Sequence, residues 1–304
     1  MKKILITGGC GFIGANLIHY LSQNTSYKIR VLDNESLGKL AYIDAEVEFI
    51  RADTRNRSAV KDSLKDIDTV VHLAADTRVI DSISDPLFNF ENNVQATINI
   101  LEAMREMGTS RLVNASTGGA IIGEVQPPVN ESMTANPTSP YGASKLAVEG
   151  YCSAYAASYG INATSLRFSN VYGPRSYHKG SVVAQFMKAI LRGEQITVYG
   201  DGSQTRDYVF VNDLCQGITK AIESEISGVF QLGTGIPTSI NELLSTISNI
   251  IDRRLDIQYK PFRAGEIRHT YCDITKAENE LVYAPTTSLS DGLNLTWQWF
   301  MSKI

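Results

Sequence analysis

The sequence predicts an α/β fold: a doubly wound parallel sheet with a smaller C-terminal α/β lobe laid over it. Three observations carry that prediction. Apolar, β-branched runs of strand length recur through the first half, each followed by residues at helical spacing. The first run breaks into glycines at 8, 11 and 14 before the chain turns helical. The alternation then lapses after Gly173-Pro174-Arg175, where shorter elements and polar loops take over. Strands alternating with helices form parallel sheets with right-handed crossovers.

The elements follow in order. Lys2-Lys3-Ile4-Leu5-Ile6-Thr7 reads as a buried strand, and Asn16, Leu17, Ile18 and Leu21 as the helix after the glycines. Ile29-Arg30-Val31-Leu32 is the second strand and ends in Asp33; Val47 to Ile50 is the third, leading into Asp53. Ser58 to Leu64 is a short helix, and Thr69-Val70-Val71-His72-Leu73 an apolar strand closed by Ala74-Ala75. Val94, Ile98, Leu101 and Met104 mark one long helix, and Arg111 to Ala115 the strand that delivers Ser116-Thr117-Gly118-Gly119. A polar, proline-bracketed loop, 134–140, feeds a helix beginning at Tyr141, and Ile161 to Phe168 is the last strand of the pattern. The expected division is a Rossmann unit over 1–170, rejoined by the chain around 208–235, with 171–304 forming most of a second lobe.

A strand, a glycine turn and a helix start together suit a dinucleotide pyrophosphate. Gly8 permits the tight turn, Gly11 lets the backbone approach phosphate, and Gly14 lets helix and strand pack closely. The helix N-terminus offers free N–H groups and a positive dipole end. Asp33 stands about 20 residues beyond the motif, where a carboxylate takes the adenosine ribose hydroxyls and repels a 2′-phosphate. NAD is therefore expected rather than NADP.

Bulk composition excludes other classes. Charge is balanced at 28 basic against 32 acidic residues, net −4, with no basic stripe for nucleic acid or a membrane surface. The first strand is expected to start at once, so no signal peptide is expected, and no apolar run is long enough to span a bilayer. Cys10, Cys152, Cys215 and Cys272 are scattered, and so are His19, His72, His178 and His269. Reduced cysteines in a cytoplasmic protein, and no metal site, are the expectation.

For chemistry, Tyr141, Lys145 and Glu149 lie four apart and share one helical face. A solvated face fits that spacing too, but a dinucleotide motif upstream favours a site. Tyrosine, with a reference pKa near about 10, needs a neighbouring positive charge to act as a base at neutral pH. Lys145 is one turn away, and an oxidised nicotinamide is a second cation. Ser116 or Thr117, at a strand end, can share a proton with the phenol. The set suits deprotonation of a carbinol as hydride leaves its carbon.

The chain resembles the extended short-chain dehydrogenase/reductases. The likeness rests on Thr7-Gly8-Gly9-Cys10-Gly11-Phe12-Ile13-Gly14, His72-Leu73-Ala74-Ala75, Asn93-Val94 and Tyr141-Gly142-Ala143-Ser144-Lys145. It extends through 167–175, 200–209, 263–269 and 273–277, so it runs from residue 1 to about 292. Within that family it is most similar to the nucleotide-sugar epimerase/dehydratase branch and its UDP-glucose 4-epimerases.

The resemblance implies Tyr141 as base for a sugar C4 hydroxyl, Lys145 holding the ribose, and Thr117, with Ser116 as its rival, bridging phenol and sugar. It implies cofactor contacts from Gly8, Gly11, Phe12, Ile13, Gly14, Asp33, Asn34, Asp53, Thr54, Leu73, Ala74, Ala75, Asn93 and Phe168, besides Tyr141 and Lys145. Asn170, Val183, Tyr199, Arg206, Arg263 and Glu266 hold the nucleotide diphosphate on the same basis. A UDP-sugar substrate and a homodimer are implied as well. The helix face carrying Val148, Tyr151, Cys152 and Tyr155 serves either as a dimer surface or as intramolecular core.

Departures from the family pattern bear on the reaction. Ile122-Gly123 stands where many relatives have Tyr-Gly, and Gly265-Glu266 where Gly-Asp is usual. Dehydratase relatives carry Asp-Glu after the Thr, and decarboxylases a Glu; this chain has Gly118-Gly119-Ala120. The expected activity is NAD-dependent 4-epimerisation of a UDP-hexose. Thr270 occupies a position where small residues admit N-acetylated sugars. The rivals are a uronate 4-epimerase, a decarboxylase, a dehydratase and a non-catalytic NAD sensor.

Overall fold

The structure, a computed structural model, describes residues 1–262 and 267–303. Twelve strands run through those residues: β1 (Lys3–Thr7), β2 (Lys28–Asp33), β3 (Glu48–Arg51), β4 (Thr69–His72), β5 (Arg111–Thr117) and β6 (Asn162–Phe168) come first. β7 (Asn170–Tyr172), β8 (Ile196–Tyr199), β9 (Thr205–Phe210), β10 (Gly228–Leu232), β11 (Pro237–Ser239) and β12 (Ile257–Lys260) follow. Seven form one parallel sheet in the order β10-β6-β5-β4-β1-β2-β3. β1 pairs with both β2 and β4, so connections leave it in opposite directions and a crevice opens beyond the strands' carboxyl ends.

Alternation along each strand feeds two apolar layers. Ile4 and Ile6 face a core built with Leu17, Ile18 and Leu21 of the helix Phe12–Asn24, while Leu5 faces Val60, Ile100 and Met104 on the other side. Each such side chain, withdrawn wholly from water, contributes roughly 1.5–3 kcal/mol. The helix Val211–Glu223 packs on Phe12–Asn24 through Leu214 and Ile218, and β10 then pairs with β6. The smaller lobe has its own core, with Phe186, Met187, Leu243 and Phe300, around a three-stranded sheet β11-β9-β7 and the parallel pair β12-β8.

Sequence and structure differ in details that matter for the site. The long helix expected around Val94 runs from Pro86 to Met107 but widens into a π turn over Glu91–Gln95. Asn93 in that turn and Asn89 just before it aim two buried carboxamides at the loop after β4. Asn93 Nδ2 donates to the Asp76 carbonyl at 2.9 Å, Asp76 N–H donates to Asn93 Oδ1 at 2.8 Å, and Asn89 Nδ2 reaches the Asp76 carboxylate at 2.8 Å. Such bulges commonly mark functional segments. The helix expected from Tyr141 starts at Pro140, capped by Ser139, whose hydroxyl accepts from Gly142 N–H at 3.1 Å. On that helix Val148 and Cys152 are core and Tyr155 bonds Glu102; of the four surface candidates only Tyr151 is exposed. Exposed apolar groups gather instead on the neighbouring short helices, at Ile80, Ile83, Leu87 and Phe88.

Candidate active site

The glycine turn has the shape of a phosphate cradle. Gly8 takes a φ of +71°, and a Cβ there would lie 2.6 Å from Ala74 N, so the turn after β1 sits directly against the end of β4. A Cβ on Gly14 would strike Gly8 O at 2.4 Å; one on Gly11 would meet only Gly8 O, at 3.2 Å. Gly14 thus locks the helix onto the turn, while Gly11 leaves the backbone open. No side chain caps the helix at Gly11 and no acid lies in its first turn. These features fit a bound pyrophosphate. Phe12 contributes the helix start, its ring being buried in the core, against which Ile13 also packs.

Asp33 ends β2 with its carboxylate against this turn, accepting from Cys10 N–H at 2.9 Å and Glu35 N–H at 2.7 Å. Burial raises its pKa, and those two N–H groups oppose the rise. Asp53 is occupied: Arg55 grips both oxygens at 2.9 Å and Asn34 Nδ2 adds a bond at 2.8 Å, lowering its pKa to about 2. The Thr54 carbonyl accepts from Asn99 Nδ2 at 3.1 Å. Leu73 N–H donates to Thr7 O at 3.1 Å, which leads Ala74 and Ala75 past the glycines. Gly38 is a cradle residue that sequence reasoning missed. Its Cβ would lie 1.9 Å from Cys10 O, so only glycine fits there.

The adjacent hydroxyls of β5 have different partners. Ser116 Oγ donates to Glu149 Oε1 at 2.6 Å, and Glu149 makes a two-pronged pair with Arg167 at 2.9 and 2.8 Å. Both members of that pair are buried. The Thr117 hydroxyl stands beside the Tyr141 phenol and favours its ionised form. Tyr141, Lys145 and Glu149 do share one face, turned to the sheet and buried.

The electrostatics refine the expectation for Tyr141. Burial pushes its pKa up to about 12, the Thr117 hydroxyl opposes the rise, and the Asp76 carboxylate adds to it. Lys145 is not among the groups moving it: its ammonium donates to Ala115 O at 2.9 Å. Burial lowers Lys145 to about 8, with Glu149 opposing. A cationic nicotinamide beside the phenol is thus the charge this site calls for.

Behind these residues a hydrogen-bonded chain ties cradle to helix. His72 Nδ1 lies 2.6 Å from Thr7 Oγ1 and its Nε2 3.0 Å from Thr97 Oγ1, while Asn93 Nδ2 donates to Ser144 Oγ at 3.0 Å. Burial, reinforced by Lys145, lowers His72 to about 3, so the ring is neutral.

Beside Thr117 opens a cavity of about 330 Å³ between sheet and lobe. Thr117, Phe168, Asn170 and Arg206 line it, as do Gly118, Gly119 and Thr270. Arg206 Nη1 donates to the carbonyls of Thr205 at 2.8 Å and Arg268 at 3.1 Å. Val183 does not line it, being buried in the lobe's apolar core, and neither does Tyr199, at the end of β8. Arg263 and Glu266 lie outside the described residues. Asp207 is a further lining group that went unassigned. Its buried carboxylate accepts from Thr234 N–H at 2.8 Å, Gly235 N–H at 3.0 Å and Cys272 Sγ at 3.1 Å, pinning the loop after β10.

A dinucleotide cradle beside a Thr-Tyr-Lys cluster and an Arg-lined cavity defines a nucleotide-sugar-modifying enzyme that works through a nicotinamide cofactor. The chain belongs to the NAD dependent epimerase/dehydratase family, whose model matches residues 4–233, and its cofactor is NAD. It is 39% identical over 304 residues to a putative UDP-glucose 4-epimerase of Methanocaldococcus jannaschii, covering 99% of each chain. The UDP-glucose 4-epimerase of Thermotoga maritima, solved with UDP-glucose, superposes with a TM-score of 0.95 at 36% identity, again with 99% of each chain covered. That of Thermus thermophilus, solved with NAD, gives 0.93 at 35% identity, covering 99% of this chain and 100% of the other. Among the described residues no helix is long and apolar enough to cross a membrane.

Proposed function

We propose that this enzyme interconverts the C4 epimers of a UDP-hexose. The observation that carries the reading is the Tyr141 phenol beside the Thr117 hydroxyl, set between the glycine cradle and the Arg206 cavity. Tyr141 takes the C4 hydroxyl proton, and Thr117 relays between phenol and sugar. Bound NAD would supply the acceptor, and then the donor, for the C4 hydride. Lys145 holds the nicotinamide ribose, and Asp33 the adenosine ribose. Arg206 and Arg263 anchor the diphosphate with Asn170, and Glu266 takes the nucleotide. Gly119, where a Cβ would meet only Thr270 Oγ1 at 3.6 Å, leaves the sugar room to turn about its tether.

Elimination and decarboxylation need a further acid or base beside Thr117, and the wall there is glycine. We read residues 1–170, with the returning segment around 208–235, as the NAD-binding unit, and most of 171–304 as the nucleotide-sugar lobe. The four cysteines are free and buried, which fits a cytoplasmic enzyme. We read it as a homodimer that buries the Ile80–Phe88 surface.

Proton NMR with UDP-glucose, UDP-N-acetylglucosamine and UDP-glucuronate supplied separately, first without added NAD, tests the reading. The C4 epimer's anomeric signal should appear with UDP-glucose; no change on any substrate even with NAD supplied sinks it. Thr270 Oγ1 lies 3.6 Å from where a Gly119 Cβ would stand, so it faces the glycine wall. Thr270→Tyr should therefore shift preference from UDP-N-acetylglucosamine toward UDP-glucose, as the ratio of kcat/KM values would report.

A further inference from the structure

His72 ends β4 fully buried, and no step of the proposed reaction uses it. Both ring nitrogens are nonetheless engaged, Nδ1 at 2.6 Å from Thr7 Oγ1 and Nε2 at 3.0 Å from Thr97 Oγ1. A neutral imidazole has one donor and one acceptor, and its partners decide which nitrogen is which. Thr97 has a single hydroxyl proton, which goes to the Asn93 carbonyl at 2.6 Å, a group that can only accept. Thr97 Oγ1 therefore meets the ring as an acceptor, so Nε2 carries the proton. Nδ1 keeps a lone pair, and the Thr7 hydroxyl donates to it. Thr7 Oγ1 in turn accepts from Ala74 N–H at 3.3 Å. The bonds run in one direction, from Ala74 through Thr7 and His72 to Thr97 and the π turn.

That direction matters where the relay begins. Ala74 N is the atom nearest to where a Gly8 Cβ would stand, at 2.6 Å, so the glycine turn is seated on the group that Thr7 holds. Thr7 immediately precedes that turn, and its carbonyl accepts from Leu73 N–H at 3.1 Å. A threonine hydroxyl can rotate; an acceptor at Nδ1 fixes it with its oxygen lone pairs free for Ala74. We infer that His72 is a positioning residue for the cofactor, its Nδ1 lone pair orienting the Thr7 hydroxyl that locks the ends of β1 and β4 at the spacing where the glycine turn receives NAD. The inference rests on NAD binding alone and not on the choice of sugar or reaction.

Two measurements on the NAD-loaded enzyme test it. ¹H–¹⁵N spectra of the histidine rings at neutral pH should show His72, identified by its loss in His72→Asn, with a proton on Nε2 and none on Nδ1. A proton on Nδ1 would overturn the inference. Release of labelled NAD into excess unlabelled NAD gives the second readout. His72→Leu removes the acceptor and should speed release on the order of 3–10-fold, the worth of one lost hydrogen bond. His72→Asn places a carboxamide oxygen at the level of Nδ1, where it accepts from Thr7, and should bring release back to within about twofold of wild type. Unchanged release in His72→Leu would overturn the inference. Equal acceleration in both variants would do so too, assigning the effect to lost packing. If His72→Leu does not fold, His72→Gln takes its place: its amide reaches the level of Nε2, donates to Thr97 and leaves the Thr7 hydroxyl without an acceptor. It must then speed release as the leucine would, and release at the wild-type rate is equally decisive. No sugar nucleotide enters either measurement, so failure of the epimerase reading would leave this result untouched.

Discussion

Ser116 and Thr117 are neighbours on β5, yet they serve two different regions. Ser116 belongs to a closed floor in which its hydroxyl, the Glu149 carboxylate and the Arg167 guanidinium bond one another away from water. Thr117 opens onto an incomplete edge with a phenol pushed up to about 12. Ser116 lies within the strand beneath the Tyr141 helix, whereas Thr117 ends the strand where the cavity opens, so one residue's step separates the group that secures the helix from the group that lines the cavity. The floor is tied together within the protein, with Arg167 Nη1 left unpaired behind the ion pair, whereas the edge opens onto the cavity.

Substitutions can break this comparison. Tyr141→Phe removes the proton acceptor and should lower kcat about 10²–10⁴-fold while NAD content and thermal midpoint hold. A preparation that stays active would end the edge's catalytic role. Glu149→Ala strips a buried guanidinium of its partner, which typically costs about 3–5 kcal/mol. A thermal midpoint lower on the order of 10 °C is the expected sign. A catalytic defect without instability would erase the distinction between floor and edge.

The neutral His72 adds a dependence on pH. Its native pKa of about 3 lies below the usual value of 6.5, so the unfolded chain takes up a proton that the folded chain refuses. That contribution to stability is complete above pH 6.5 and is lost as pH falls toward 3. Urea midpoints measured at descending pH should fall across this window, and His72→Asn should flatten the trend. The finest contrast comes last. Ser116→Ala should cost about 1 kcal/mol of stability and leave turnover within about twofold, since its hydroxyl bonds only Glu149.

Much of the edge is legible in sequence because its signals are local. The glycine spacing, the acid at the end of the second strand, and the Tyr and Lys one turn apart each depend on residues close along the chain. The floor is not, because Arg167 reaches Glu149 only through the pairing of β5 with β6 and the seating of the Tyr141 helix above them. Asp207 escapes notice for the same reason, being an ordinary polar residue until distant strands place it at the cavity. Val183 shows the converse: the family resemblance implied a ligand contact, while the amphipathic helix Val182–Arg192 turns it into the lobe's core.

The late arrival of β10 carries a consequence for anyone who would cut this molecule apart. The chain leaves the large sheet at β6, builds part of the lobe through β9, and only then lays Val211–Glu223 against the first helix and closes the sheet's border. A fragment ending near residue 170 would strip Leu17 and Ile18 of their cover and expose an unpaired apolar border, an invitation to aggregate. Grafting a different lobe onto the large sheet therefore demands two splice points, one on either side of the returning helix and strand.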